Sequence, residues 1–305
     1  MKPSQTERTQ GPPTHIRAKF KPEPPVQATM LEAMTIALGV FAVAFLFAPV
    51  GMGGGMLFVP LFHYSADWPI DGTLIATSLL LTTVVSFGSG LAHRKKGHYN
   101  DEAIKSALVG AVPGAMLGVL VVVLLGARLD PVFKTLSVAM LVWALVKTQR
   151  KLRQTPSDTD QTVSNQPNQP IEHWPMRAGT GVGGMLSSVL AVGAGVIYVP
   201  VLQQKAHLEP RTSIGSSLHI MMAVVPVAIL THLAFISSAE LDAFLTALPF
   251  LLGLMVLTYI GANAGARFGM RYISPANIMK LFMMLVVIVL VRYVADLGGT
   301  LLGSI

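Results

Sequence analysis

Long apolar runs constrain this chain more than any other feature. Residues 103–125 and 275–294 are each at or near the roughly 20 residues that cross a bilayer as a helix. Fifty-two per cent of the chain is hydrophobic and only 12% charged, where a soluble domain is about a quarter charged. That balance excludes a disordered protein, a nucleic-acid binder and most cytosolic enzymes. The net charge of +7 comes from short basic clusters between the runs, at 94–96, 147–153 and Arg267/Arg271, which is how membrane proteins set their orientation. With no cysteine, disulfides and thiolate chemistry are ruled out. The expectation is an all-α polytopic membrane protein.

The chain is also duplicated. Val50-Gly-Met-Gly-Gly-Gly-Met-Leu-Phe-Val-Pro-Leu61 returns as Val189-Leu-Ala-Val-Gly-Ala-Gly-Val-Ile-Tyr-Val-Pro-Val201. Ile75-Ala-Thr-Ser-Leu79 returns as Ile214-Gly-Ser-Ser-Leu218, Gly114-Ala115-x-x-Gly118 as Gly261-Ala262-x-x-Gly265, and Asp130-Pro131 as Ser274-Pro275. Landmarks in one order at nearly constant spacing mark an internal repeat. The organisation expected is a disordered tail over 1–28, a first membrane repeat over 29–147, a Gln/Asn/Pro-rich linker over 148–174, a second repeat over 175–296 and a short tail over 297–305.

Each half begins with a helix that ends at the glycines (31–50; 175–190) and a segment of about ten residues (55–64; 195–203), half the thickness of the hydrocarbon core. Three longer helices follow: 73–92, 103–126 and 131–147, against 212–236, 241–263 and 275–294. The opening pair reads as a re-entrant hairpin or as a discontinuous crossing. Basic residues occupy 93–98 and 147–153 but avoid 64–72 and, apart from Arg128, 127–130; in the second half they occupy 205–211 and 267–271 but avoid 236–242. If basic loops face the cytoplasm, the halves are oppositely oriented, as in many secondary transporters. The basic residues of the tail fall outside in this scheme.

Irregular backbone at membrane depth survives where it is buried or lines a polar cavity. The two glycine turns are such stretches, and the short helices after them aim partly positive N-termini at the turn. The candidate anion site is therefore Gly53, Gly54 and Gly55 with Gly193, Ala194 and Gly195. Hydroxyls at matched places, Thr77 and Ser78 with Ser216 and Ser217, join it, as does Asn263. Thr82, Thr83, Ser86 and Ser89 continue the hydroxyl stripe, and any one of these groups can instead bond its own helix. Gly114/Gly118 and Gly261/Gly265 read as packing faces, so Gly118→Ala is expected to be far milder than Gly55→Val. No acidic residue falls in the middle of an apolar segment, which favours an anionic over a cationic substrate. His219 reads as the deepest titratable group and the candidate for ion coupling; Lys134 and Lys280, near helix ends, read as snorkelling. Gly179-x-Gly181-x-x-Gly184 fits a dinucleotide pattern but lies in an apolar helix without a preceding strand. No cofactor or metal site is expected.

The glycine motifs, the Ala-x-Ser-like helix start and Gly-Ala-x-x-Gly resemble the TauE/SafE family, also called the 4-toluenesulfonate uptake permease family, over roughly residues 30–295. The second glycine motif differs, with Ala191 and Ala194 where glycine is expected. The resemblance implies secondary transport of a sulfur-containing anion (sulfite, sulfoacetate or an organosulfonate such as 4-toluenesulfonate) across a bacterial inner membrane, and not an enzyme. The partners it implies are that anion, the lipid bilayer and, as one assembly option, a second copy in a homodimer. A passive anion channel is the alternative reading, with an intramembrane enzyme behind it.

Overall fold

A computed structural model describes residues 30–50, 53–153, 170–193, 195–272 and 275–302. These residues form helices and, as far as they are described, no strand. The first half holds α1 (Met30–Phe47, then a 3₁₀ turn, Ala48–Val50), α2 (Gly55–Ala66), α3 (Gly72–Arg94), α4 (Asp101–Leu125) and α5 (Leu129–Arg153). The second holds α6 (His173–Leu190), α7 (Gly195–Lys205), α8 (Pro210–Phe235), α9 (Ser238–Tyr272) and α10 (Pro275–Leu302). Five stretches are long and apolar enough to cross a membrane, one of them running through both α4 and α5. The protein is a multi-pass membrane protein.

Apolar and polar residues are distributed as lipid requires. Leu124, Val256 and Val291 are more than half exposed on the outside, while Thr77, Ser78, Thr82, Ser86 and Ser89 of α3 are fully buried. Polar groups turn inward because hydrocarbon offers them no partner. Helices α3 and α8 form the centre. A Cβ at Gly72 would lie 3.3 Å from Ile236, one at Gly90 3.3 Å from Leu218, and one at Gly215 3.3 Å from His93 Cβ. One chain number rises as the other falls, so α3 and α8 are antiparallel. The two ends of the bundle are called here the Gly72 end and the His93 end.

Contacts repeat when the halves are exchanged. Helix α4 packs on α6 as α9 packs on α1; α4 meets α8 as α9 meets α3; α5 pairs with α10. The glycine pairs make this possible. A Cβ at Gly110, Gly114 or Gly118 would strike the carbonyl oxygen of Arg177, Gly181 or Met185 on α6, and one at Gly265 would strike that of Phe45 on α1. These helices approach main chain to main chain, as small residues allow. Gly118→Ala therefore carries a cost in stability, because its methyl group would strike main chain. The glycine run in α6 has a packing role as well: Gly184 meets α4 while Gly183 meets Tyr198 of α7.

The opening segments are hairpins that enter and leave at one end. The Glu172 N–H, before α6, donates to the Lys205 carbonyl at the end of α7 (2.8 Å), and the Lys205 ammonium pairs with the Glu172 carboxylate at 3.0 Å. In the first half Gly39 of α1 lies against Leu61 of α2, and Gly54 against Val43. The basic loop at 93–98 sits beside the start of α8 at the His93 end, where Ser216 accepts from the Asn100 N–H (2.9 Å). The non-basic loops before α3 and after α8 meet at the Gly72 end.

Three helices are longer than their apolar runs. α5 continues to Arg153, because Lys, Gln, Arg and Leu over 147–153 are good helix formers and leave the bilayer without a break. α9 reaches Tyr272 and α10 reaches Leu302, so Asp296 lies inside a helix that was expected to end at 294. The linker expected over 148–174 falls mostly outside the described residues.

Candidate functional site

The two glycine turns meet at the centre of the bundle. Gly53 and Gly54 have φ of 72° and 74°, a left-handed backbone that costs other residues roughly 1–2 kcal/mol. They let the chain reverse between α1 and α2 without a side-chain cap on α2. A Cβ at Gly53 would lie 3.4 Å from the Gly193 Cα and 3.1 Å from Thr82 Cγ2, and would strike Met221 Cε. A Cβ at Gly55 would strike the Ala191 carbonyl oxygen and come within 2.6 Å of Thr82 Oγ1. Ala191 itself is left-handed, with φ 51°, and the Gly195 N–H turns back to the Gly193 carbonyl. Here alanine takes a conformation that glycine takes without steric cost. Ala194 lies outside the described residues.

Thr82 is the side chain that the sequence reading left outside the site. It is fully buried, and its hydroxyl has no hydrogen-bond partner among the described residues. A buried hydroxyl without a partner costs about 1–3 kcal/mol, so it marks a place where a further acceptor or donor would be stabilised. The duplicate register puts Met221 where Thr82 stands in the first half, and that difference hid it: only one half carries the hydroxyl.

The other expected residues divide. Ser78 joins the turn, its hydroxyl donating to the Gly55 carbonyl at 3.4 Å. Thr77 is buried nearby in sequence with an unpartnered hydroxyl. Ser217 is buried and reaches only the Met221 sulfur, at 4.0 Å. Because Leu218 faces Gly90, Ser217 is level with Leu91, about 20 Å along the antiparallel pair from Ser78 at 1.5 Å per residue. The two serines do not share one ligand position in this conformation. Ser216 holds the Asn100 N–H, and the Asn263 main chain packs against Gly88, 3.6 Å from a Cβ built there.

His219 lies toward the His93 end, half-buried, with Nδ1 at 2.7 Å from the Gly215 carbonyl and its ring stacked on Tyr99 at 5.5 Å. The deeper imidazoles are His93 and His232, 3% and 2% exposed. They stand as far apart in the chain as Ile75 and Ile214 do, so Leu91-Ala-His93 and Leu230-Thr-His232 are a further repeat. His232 Nε2 is 3.1 Å from the Ser188 carbonyl, which accepts from it; neither nitrogen of His93 has a partner among the described residues. Outside the spans, Asp71 caps α3 by accepting from the Leu74 N–H at 2.9 Å. Burial raises its carboxyl above the usual range, partly offset by that bond.

Lys134 does not snorkel. It is 5% exposed, with its ammonium 2.6 Å from Asp296 of α10 and 3.0 Å from Asp130. Asp130 stands in the first turn of α5 and Asp296 toward the end of α10, so both paired carboxylates lie outside the middle of the apolar segments.

This arrangement of paired hairpins belongs with a sequence-level match: the model of the family described as Sulfite exporter TauE/SafE covers residues 36–293. The chain belongs to the TauE/SafE family. Its kinship is with transporters, and with membrane proteins built of helices. No curated protein and no solved structure matches the chain. Within the matched region lie both glycine turns, Thr82 and Lys134, while Asp296 falls three residues past its end.

Proposed function

We propose that this TauE/SafE protein is a secondary transporter that moves a sulfur-containing anion, such as sulfite, sulfoacetate or an aromatic sulfonate like 4-toluenesulfonate, across a bacterial inner membrane. The anion binds where the two glycine turns meet, coupled to movement of an ion. The observation that carries this reading is the meeting of Gly53 with Gly193 and of Gly55 with Ala191, beside a Thr82 hydroxyl that has no partner among the described residues. Half-helices α2 and α7 start at those turns, and helix N-termini stabilise anions by roughly 0.3–1 kcal/mol, up to about 2 when partly buried. Two such ends with a hydroxyl suit a weakly hydrated oxyanion.

Alternating access needs two arrangements of similar energy, which oppositely oriented repeats supply. The antiparallel α3/α8 pair and the exchange of contacts between halves support such an inversion. In this conformation the turns press against each other, which favours a carrier over an open pore. The enzyme reading loses support at the serine–histidine neighbourhood beside the second turn. His232 there meets the Ser188 carbonyl, while the Ser188 hydroxyl goes to Gly184.

Uptake of radiolabelled 4-toluenesulfonate and sulfite into proteoliposomes tests the reading. Saturable uptake with counterflow from preloaded vesicles is expected. Linear, non-saturating flux would make the protein a channel, and no flux of any sulfur anion would remove the substrate class.

A further inference from the structure

A second polar constellation lies away from the turns, between α2, α5 and α10. Lys134 and Asp130 come from α5, Asp296 and Arg292 from α10, and His63 and Tyr64 from the outer end of α2. Asp296 binds Lys134, accepts from the Tyr64 hydroxyl at 3.5 Å and lies 3.9 Å from His63 Nε2. The Arg292 guanidinium sits 4.7 Å over the Tyr64 ring.

Beneath this cluster is a small cavity with room for about one water molecule. It is lined by Met56, Phe133, Ser137, Leu190, Val192 and Tyr293, among others. Three separate helices give the same order. On α5 Ser137 follows Lys134 by one turn; on α10 Tyr293 precedes Asp296 by one turn; on α2 Met56 precedes Tyr64 by two turns. The cavity therefore lies on the inner side of the ion pairs. Its floor is the site already described: Met56 follows Gly55, and Leu190 and Val192 flank Ala191. Tyr293 is 1% exposed, lines the cavity, and its hydroxyl has no hydrogen-bond partner among the described residues.

We propose that this cavity is the path by which the anion reaches the glycine turns from the Gly72 end, closed here by the Lys134–Asp296 pair, with Lys134 receiving the anion when that pair opens. The proposal rests on the transporter reading above. An anion competes with Asp296 for the same ammonium, so arrival of substrate and release of the pair are one exchange. The Tyr293 hydroxyl then donates one turn further in, and Thr82 at the floor. In the repeat that aligns Pro131 with Pro275, Ile278 occupies the place of Lys134, so the sequence does not duplicate this lysine. The path is thus specific to one end.

The chain has no cysteine, so Ser137→Cys in the full-length protein provides a single thiol in the cavity. In oriented proteoliposomes, a charged, membrane-impermeant maleimide should label it slowly and only from the face of the Gly72 end. Adding Asp296→Asn should speed labelling severalfold, and 4-toluenesulfonate should slow it again. Adding Lys134→Gln should also speed labelling, but protection by 4-toluenesulfonate should be lost. Labelling from the other face, equal rates in all three backgrounds, no protection with Asp296→Asn, or full protection with Lys134→Gln would overturn the proposal. If the pattern holds without transport of any sulfur anion, the path stands and the substrate class falls. If 4-toluenesulfonate is transported while Ser137→Cys is indifferent to both variants, the path falls and the transporter reading stands.

Discussion

Replacing Gly55 by alanine places a methyl group in the closest contact at the centre of the molecule. It meets the Ala191 carbonyl oxygen, Thr82 Oγ1 at 2.6 Å and the Ala191 carbonyl carbon at 3.1 Å. Two of those atoms are main chain, so no rotamer change relieves the overlap and the turns must separate. Overpacking of this kind costs about 1–3 kcal/mol. Gly55 is not left-handed, so no dihedral strain is added, and alanine in a helix recovers up to about 1 kcal/mol relative to glycine. The net cost, roughly 0–2 kcal/mol, leaves a protein of ordinary stability folded. Transport is more exposed to the change, because donors moved by about 1 Å lose the geometry that binds the anion, and each 1.4 kcal/mol of binding is about tenfold. The assay is the initial rate of 4-toluenesulfonate uptake per folded molecule, measured beside thermal unfolding in detergent. Gly55→Ala should lose about tenfold or more in rate for a small loss of stability. Gly118→Ala, which strikes the Met185 carbonyl on a packing face, should lose stability but keep its rate per folded molecule. Gly253→Ala meets nothing within 4 Å and should gain about 0.5–1 kcal/mol with unchanged transport. Parental transport by Gly55→Ala, or an equal fall per folded molecule in Gly118→Ala, would refute the reasoning.

Thr82→Val should leave stability unchanged or raised, because it removes a buried hydroxyl without a partner, yet weaken 4-toluenesulfonate binding; isothermal titration beside thermal unfolding separates the two. Asp71→Ala should cost about 1 kcal/mol through loss of the α3 cap, whereas Asp71→Asn keeps a capping oxygen and should be near neutral in the same unfolding assay. Single cysteines at Lys96 and Arg267 should react with impermeant thiol reagents from one face, and one at Asp67 from the opposite face; any other pattern contradicts the inverted orientation of the halves.

Fold class and duplication were legible because both are written in local patterns: apolar runs of bilayer length, and motifs repeated in order. The hairpins were only half legible. Glycines at 53 and 54 announce a turn, but whether α2 goes on or comes back is decided by distant contacts such as Glu172 with Lys205. The meeting of the two turns was legible where the halves match, and the side chains around it were hidden where the halves differ. Thr82 lies beside Gly53 and Gly55, yet its repeat partner is Met221, so pairing of hydroxyls passed over it. Ser217 was paired with Ser78 by the same rule, although antiparallel packing sets them far apart. Lys134 read as a snorkelling lysine because its partner, Asp296, lay beyond the apolar run. The helix keeps that acid within reach of Lys134 by continuing where hydropathy stops. Leu91-Ala-His93 and Leu230-Thr-His232 were detectable from spacing alone.

The account turns on where the anion binds, and locating it directly is the most decisive measurement. A structure of the protein with 4-bromobenzenesulfonate, the bromine identified by its anomalous signal, would place both ends of the ligand. The sulfonate should lie among Gly53, Gly55, Gly193 and Thr82, with the turns parted to admit it. A sulfonate bound elsewhere while Gly55 still rests against Ala191 would contradict the account.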